Sequence, residues 1–317
     1  MRTWLCDRFG LSVPVVGAPM AGVASGALAA AISRAGALGM IGVGNSTPAE
    51  WIAGQGEVAR GGGPFGIGLM AWALEDNPAQ LDAVVALRPA LVSVSFGPYP
   101  RYLGALKDAG ITVATQVGNL AEAQAAEQAG VDLIVARGGE GGGHGRNEVG
   151  TLVLLQTVLD HVTTPVLAAG GIASARGLAA VLAAGAQGAW VGTAFLCCTE
   201  ADSGPGARER LLAACETDTA YGRVFDVGHG LGWPAEFGGR ALRNSFFDRW
   251  SGREQELSAD ENARRELAAA RARGDFDTAY IYAGQGVGLL RGERPAAEVV
   301  AEFARADDLL RQAVNGR

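Results

Sequence analysis

Along residues 11–195 the sequence alternates, eight times, a short apolar run with an Ala-rich amphipathic stretch. This rhythm limits the available folds more than any other feature. The runs are Val13–Val16, Leu38–Val43, Phe65–Met70, Leu91–Phe96, Thr112–Val117, Leu133–Arg137, Pro165–Ala169 and Gly188–Val191. Runs that are apolar on both faces fit the strands of a parallel sheet covered on both sides, and the stretches between them read as helices. Several stretches end in Ala-Gly: Ala35-Gly36, Ala109-Gly110, Ala129-Gly130 and Ala184-Gly185. Glycine just past a helix takes the left-handed conformation that a β-carbon resists, so each pair marks a helix end before a new strand. Eight such units predict a closed (β/α)8 barrel, a TIM barrel. An open doubly wound sheet is the alternative, but it usually has fewer strands.

Beyond residue 200 the rhythm changes. Ser203–Gly206 reads as a turn, 207–217 as a helix, Tyr221–Arg243 as irregular, Glu256–Arg273 as one charged helix and Pro295–Val314 as one terminal amphipathic helix. The expected organisation is a barrel formed by 1–205 and 280–317, with 206–279 as a small, mainly helical capping subdomain.

Composition narrows the function. A net charge of −7 on 317 residues argues against nucleic acid, which needs a basic surface. No run of about 18 apolar residues offers a membrane span. Met1–Gly10 carries Arg2, Asp7 and Arg8 and does not read as a signal peptide. Cysteines at 6, 197, 198 and 215 form no zinc pattern, and the three histidines are dispersed, so no metal is expected. A cytoplasmic, reducing location fits. The single lysine, Lys107, falls late in a helix and away from the strand ends, which disfavours pyridoxal phosphate. The G-x-G-x-x-G at Gly61, Gly63 and Gly66 precedes a strand and contains Pro64, which disfavours a dinucleotide fingerprint. No G-x-S-x-G of a serine hydrolase occurs.

Phosphate in such barrels commonly binds after the seventh and eighth strands, where backbone N–H groups approach an anion. Here the seventh run ends Ala168-Ala169-Gly170-Gly171-Ile172, with Ser174 as the expected cap of the next helix, and the eighth ends Val191-Gly192-Thr193. Glycines at both places favour a phosphate ligand over plain turns. The sixth run leads into Gly138-Gly139-Glu140-Gly141-Gly142-Gly143-His144-Gly145. So glycine-rich a segment suggests a loop that hugs a flat ligand or moves as a lid, and His144 within it is the candidate catalytic residue. His229, in Gly228-His229-Gly230, is a weaker candidate. His161 is assigned no role.

Taken in order, these segments resemble the nitronate monooxygenases, formerly called 2-nitropropane dioxygenases. The resemblance rests on Ala18-Pro19-Met20-Ala21-Gly22, Gln116, Glu140 to His144, Ala168 to Ile172, Val191-Gly192-Thr193 and Gly284-Gln285-Gly286-Val287-Gly288, and spans nearly the whole chain. It implies an FMN cofactor. Ala18, Pro19 and Met20 would line the flavin ring, and Gln116 would hydrogen-bond the isoalloxazine. Gly142, Gly143 and Ala169 would also contact the cofactor, Gly170, Gly171, Gly192 and Thr193 would hold its phosphate, and His144 would be the base. The implied reaction oxidises alkyl nitronates, and in some members neutral nitroalkanes, with molecular oxygen to a carbonyl compound and nitrite. The partners are a small substrate and oxygen, and a homodimer is left open. Two positions depart from the family: Gly17, where many members carry glutamine, and Gly66-Ile67-Gly68, where many carry Gly-x-Asn. Both are expected to alter the flavin environment. A sister family, the flavin-dependent enoyl-acyl carrier protein reductases, shares these motifs, and some relatives are quinone reductases. An NAD(P)H-dependent reductase is therefore the first alternative, and a non-catalytic phosphate-binding barrel the second.

Overall fold

The computed structural model describes residues 2–315. Its strands, in chain order, are β1 (Val15–Gly17), β2 (Gly39–Gly42), β3 (Phe65–Met70), β4 (Leu91–Ser95), β5 (Thr112–Val117), β6 (Leu133–Arg137), β7 (Gly143–Gly145), β8 (Val166–Ala169), β9 (Ala189–Val191), β10 (Thr219–Gly222) and β11 (Gly238–Leu242). Eight of these pair in parallel in the order β1-β9-β8-β6-β5-β4-β3-β2. The ends meet through a parallel bridge between Val16 and Leu38, where the Gly17 N–H donates to the Leu38 carbonyl at 2.8 Å. The expected TIM barrel is therefore the observed fold, and each of the eight apolar runs supplies one barrel strand.

Strand alternation sorts the core into two layers. Val16, Leu38, Met40, Leu91, Leu133, Val135, Leu167 and Trp190 fill the barrel interior. Leu5, from the N-terminal helix Trp4–Phe9, joins that cluster. Intervening residues such as Val15, Ile41, Ile67, Val92, Val113 and Ile134 pack outward under the helices. The helices are stopped as the sequence indicates: Gly36, Gly110, Gly130 and Gly185 all have φ between 76° and 107°. The helix Leu120–Ala129 shows a start signal as well. The Asn119 side chain accepts from the Glu122 N–H, and Glu122 accepts in turn from the Gly118 N–H at 2.7 Å.

The region after the barrel is more regular than expected. Within Tyr221–Arg243 lie the helix Val224–His229 and strand β11. Strand β11 pairs antiparallel with both β10 and β7, the latter formed by the glycine-rich segment itself. The charged stretch is two helices, Glu254–Ala259 and Glu261–Arg273. They break at Asp260, whose carboxylate accepts from the N–H groups of Asn262 and Ala263. The terminal stretch likewise divides at Arg305 into Ala296–Ala304 and Ala306–Asn315. Val224, Phe225, Phe246, Phe247, Trp250, Leu257 and Leu267 form a separate apolar cluster. Among the described residues, no helix is long and apolar enough to cross a membrane.

Candidate active site

The strand ends that carry the expected phosphate contacts lie side by side, because β8 pairs with β9. Gly170 and Gly171 follow β8 with φ of 106° and 69°, a region that a side chain strains to enter. At Gly170 a β-carbon would also fall 2.6 Å from Thr151 Oγ1 and 3.0 Å from the Gly138 carbonyl. After β9, a β-carbon on Gly192 would sit 3.5 Å from Met20 Sδ and 3.6 Å from Ala18 Cβ, so the first and last barrel strands bring those residues together. Thr193 Oγ1 accepts from the Gly284 N–H at 2.9 Å, and the Gln285 N–H donates to the Glu140 carbonyl at 2.9 Å. The late Gly284–Gly288 motif is thereby seated across the loops after β6 and β9. A β-carbon at Gly142 would lie 2.5 Å from the Gly284 nitrogen. Backbone meets backbone here with no room for side chains.

Gln116 is partly exposed at the end of β5. Its own N–H donates to Ser95 Oγ at 3.0 Å, and its carboxamide has no partner among the described residues. Pro19 packs against β3, where a β-carbon on Gly68 would fall 2.3 Å from its ring. Gly68, one of the two departures from the family pattern, thus vacates the space that Pro19 fills. The other departure, Gly17, faces away from the mouth: its β-carbon position lies 2.6 Å from Ile32 Cδ1, under the covering helix. The expectation that Gly17 alters the flavin environment is corrected accordingly, because strand alternation turns position 17 outward and positions 16 and 18 inward.

The glycine-rich segment is pinned, not loose. Arg137 ends β6 on the inward face and is buried. Its guanidinium donates to the carbonyls of Gly141 (2.6 Å), Gly142 (3.3 Å), Gly143 (3.0 Å) and Arg146 (3.0 Å). Burial lowers its pKa to about 10, which leaves it charged at neutral pH. From β11, Arg240 donates to the Gly139 carbonyl and to Asn147 Oδ1, both at 2.8 Å. Glu140 accepts from the N–H and hydroxyl of Thr151 and caps the helix Thr151–Leu159. With two arginines and a strand pairing on it, the segment does not fit the swinging lid that its glycine content suggested.

That pairing sets His144 opposite Gly239. His144 Nε2 lies 2.8 Å from Oδ1 of Asp226, which is 1% exposed on the helix Val224–His229. Tyr282 donates its hydroxyl to the same oxygen at 3.3 Å. Burial, aided by the Asp226 charge, pushes the Tyr282 phenol well above its usual pKa, so it stays a donor. The Trp233 ring stacks on His144 at 3.6 Å and 4°. Trp72 and Phe96 pack on Trp233 at 5.3 and 5.2 Å. Phe96 has φ 67°, uncommon for a bulky residue, at the end of β4. Gly239 leaves room for both partners, since a β-carbon there would lie 2.7 Å from Tyr282 Cε1 and 3.4 Å from His144 Nε2.

His229 lies one helical turn after Asp226 and packs on Tyr280 at 5.5 Å. Burial and the nearby Arg271 hold its pKa below the usual value, and its Nε2 is buried without a partner. Asp226, Trp233, Tyr282 and Arg137 were not singled out from sequence. The Gly-His-Gly signal marks the end of the helix whose Asp226, not His229, contacts His144. Among the described residues, no group of three His, Cys, Asp or Glu could hold a metal ion.

The sequence model of the nitronate monooxygenase family matches residues 71–305. A nitronate monooxygenase of Paraburkholderia phytofirmans is 33% identical over 95% of this chain and 94% of its own length. Among solved structures, FabK from Thermotoga maritima superposes with a TM-score of 0.86 at 28% identity, covering 100% of this chain and 99% of the other. A nitroalkane oxidase from Streptomyces ansochromogenes does so with a TM-score of 0.83 at 30% identity, covering 98% and 99%.

Proposed function

The chain belongs to the nitronate monooxygenase family of flavin-dependent oxidoreductases, and we propose that it binds FMN at the barrel mouth and oxidises alkyl nitronates with molecular oxygen to a carbonyl compound and nitrite. The residues present fit such a cofactor. Gly170, Gly171 and Gly192 follow the neighbouring strands β8 and β9 and carry no side chains, so their backbone N–H groups would be open to a terminal phosphate. Thr193 stands beside it. Ala18, Pro19, Met20 and Ala169 would flank the ring, Gly142 and Gly143 would border it, and the free carboxamide of Gln116 would hydrogen-bond its polar edge.

FMN, when bound, would supply the redox chemistry that links the nitronate to oxygen. Everything else falls to the side chains. For a neutral nitroalkane, His144 removes the α-proton, a task suited to an imidazole near neutral pH. The stacked Trp233 covers one face of that ring and keeps water from it. The observation that carries this reading is His144 itself, held by a buried carboxylate on a pinned glycine segment beside the glycine strand ends. We further propose that 1–205 with 280–317 form the cofactor-binding barrel and that 206–279 caps it, supplying Asp226 and Trp233. Four free cysteines suit a reducing compartment such as the cytoplasm.

The test is to purify the protein, extract and identify its cofactor, and add substrates anaerobically. FMN bleached by a nitronate but not by NADH, with nitrite released once air enters, is the expected result. FMN bleached by NADH and untouched by nitronate would instead support the reductase.

A further inference from the structure

A neutral imidazole carries one N–H and one lone pair, and its surroundings decide which nitrogen has which. At His144 the surroundings are asymmetric. Nε2 is 2.8 Å from Asp226 Oδ1, and that carboxylate, 1% exposed, can only accept. Tyr282 donates to the same oxygen, so the acceptor is drawn to a fixed point by a second group. The backbone holds the ring there as well: His144 lies on β7, paired with β11, and the glycine opposite it leaves room for both ring and phenol.

We infer that Asp226, steadied by Tyr282, fixes His144 as the Nε2–H tautomer, so that Nδ1 is the atom that takes the substrate's α-proton. This rests on the proposal that His144 is a base. In the step, the α-C–H bond breaks, its electron pair moves onto the nitro group to give the nitronate, and an N–H bond forms at Nδ1. The resulting imidazolium carries two N–H groups, one already directed at the Asp226 carboxylate. Asp226 is therefore a positioning residue: it sets which nitrogen is free and faces the positive charge that forms.

Long-range proton–nitrogen spectra of the 15N-histidine-labelled holoenzyme, recorded where the rings are neutral, report the tautomer directly. The His144 signals are identified by their loss in His144→Asn. The expected wild-type result is hydrogen on Nε2. Asp226→Asn, of nearly the same shape, should lose that preference. It should also slow oxidation of a neutral nitroalkane by on the order of 10²-fold or more, with a preformed nitronate nearly unaffected. Hydrogen on Nδ1 in the wild type would overturn the inference, and that measurement needs no variant to fold. So would an Asp226→Asn enzyme with wild-type tautomer and rate. If His144→Asn proves harmless on the nitroalkane, the base assignment fails, while the spectra still decide what Asp226 does to the ring.

Discussion

His144 and Asp226, 82 residues apart in sequence, meet at 2.8 Å inside the protein. Neither could arrive alone. The β7–β11 pairing presents the histidine, and the helix Val224–His229 presents the carboxylate. Deleting the carboxylate leaves two partly buried donors, His144 Nε2–H and the Tyr282 hydroxyl, without an acceptor. Asp226→Ala should therefore destabilise the protein by roughly 1–3 kcal/mol for each donor left unpaired. Tyr282→Phe, which removes one donor and its bond together, should lose only about 1 kcal/mol. Denaturant unfolding of both variants checks the order, and equal losses would contradict it.

The phosphate cradle is tested by charge. Gly171→Asp places a carboxylate beside the proposed phosphate, with a repulsion on the order of 332/(ε·r) kcal/mol at ε ≈ 20. Because φ is 69°, any side chain there adds strain, and Gly171→Asn carries the same strain without the charge. FMN titration should show much weaker binding for the aspartate than for the asparagine. Equal affinities would place the phosphate elsewhere.

Arg137 should prove to be the residue that orders the glycine segment. Lysine in its place offers a compact charge and cannot span the four carbonyls that the guanidinium reaches. Hydrogen exchange across 141–146 should rise sharply in Arg137→Lys, with the barrel strands unchanged. Unchanged exchange in the segment would mean that β7 pairing alone holds it.

Acid sensitivity should depend in part on His229. Its folded pKa is lowered, by burial first and then by Arg271, so the unfolded chain binds the proton more readily. The stability it contributes is fully present above the unfolded pKa of about 6.5 and is lost as pH falls toward the folded value. His229→Gln should therefore show a smaller fall in Tm than the wild type as pH drops through that window. An identical fall would show that His229 titrates as it does when unfolded.

The parts of this molecule that were legible in sequence are those that local physics determines. Ala35-Gly36, Ala109-Gly110, Ala129-Gly130 and Ala184-Gly185 end helices because glycine alone enters the left-handed region freely, and each does so here. Apolar runs became strands because only a doubly covered sheet buries both their faces. The glycines at 170, 171 and 192 lie together because consecutive barrel strands are neighbours. What stayed hidden depends on pairings distant in sequence. Asp226 looks like any helix-start acid until β11 folds back onto β7, and Trp233 looks like a loop aromatic until it lies on His144. Gly17 misled because its position in a motif says nothing about which side of the strand it faces.

The central claim is that His144 acts as a base toward substrate at a bound flavin. It is tested most directly by anaerobic stopped-flow reduction of the FMN-loaded enzyme, with a neutral nitroalkane and with its preformed nitronate, in wild type and in His144→Asn. The account predicts that the variant keeps its FMN and loses roughly 10²–10⁴-fold on the nitroalkane while reducing nearly normally with the nitronate, which has already given up its proton. Equal losses on both substrates, or no loss on either, would contradict it.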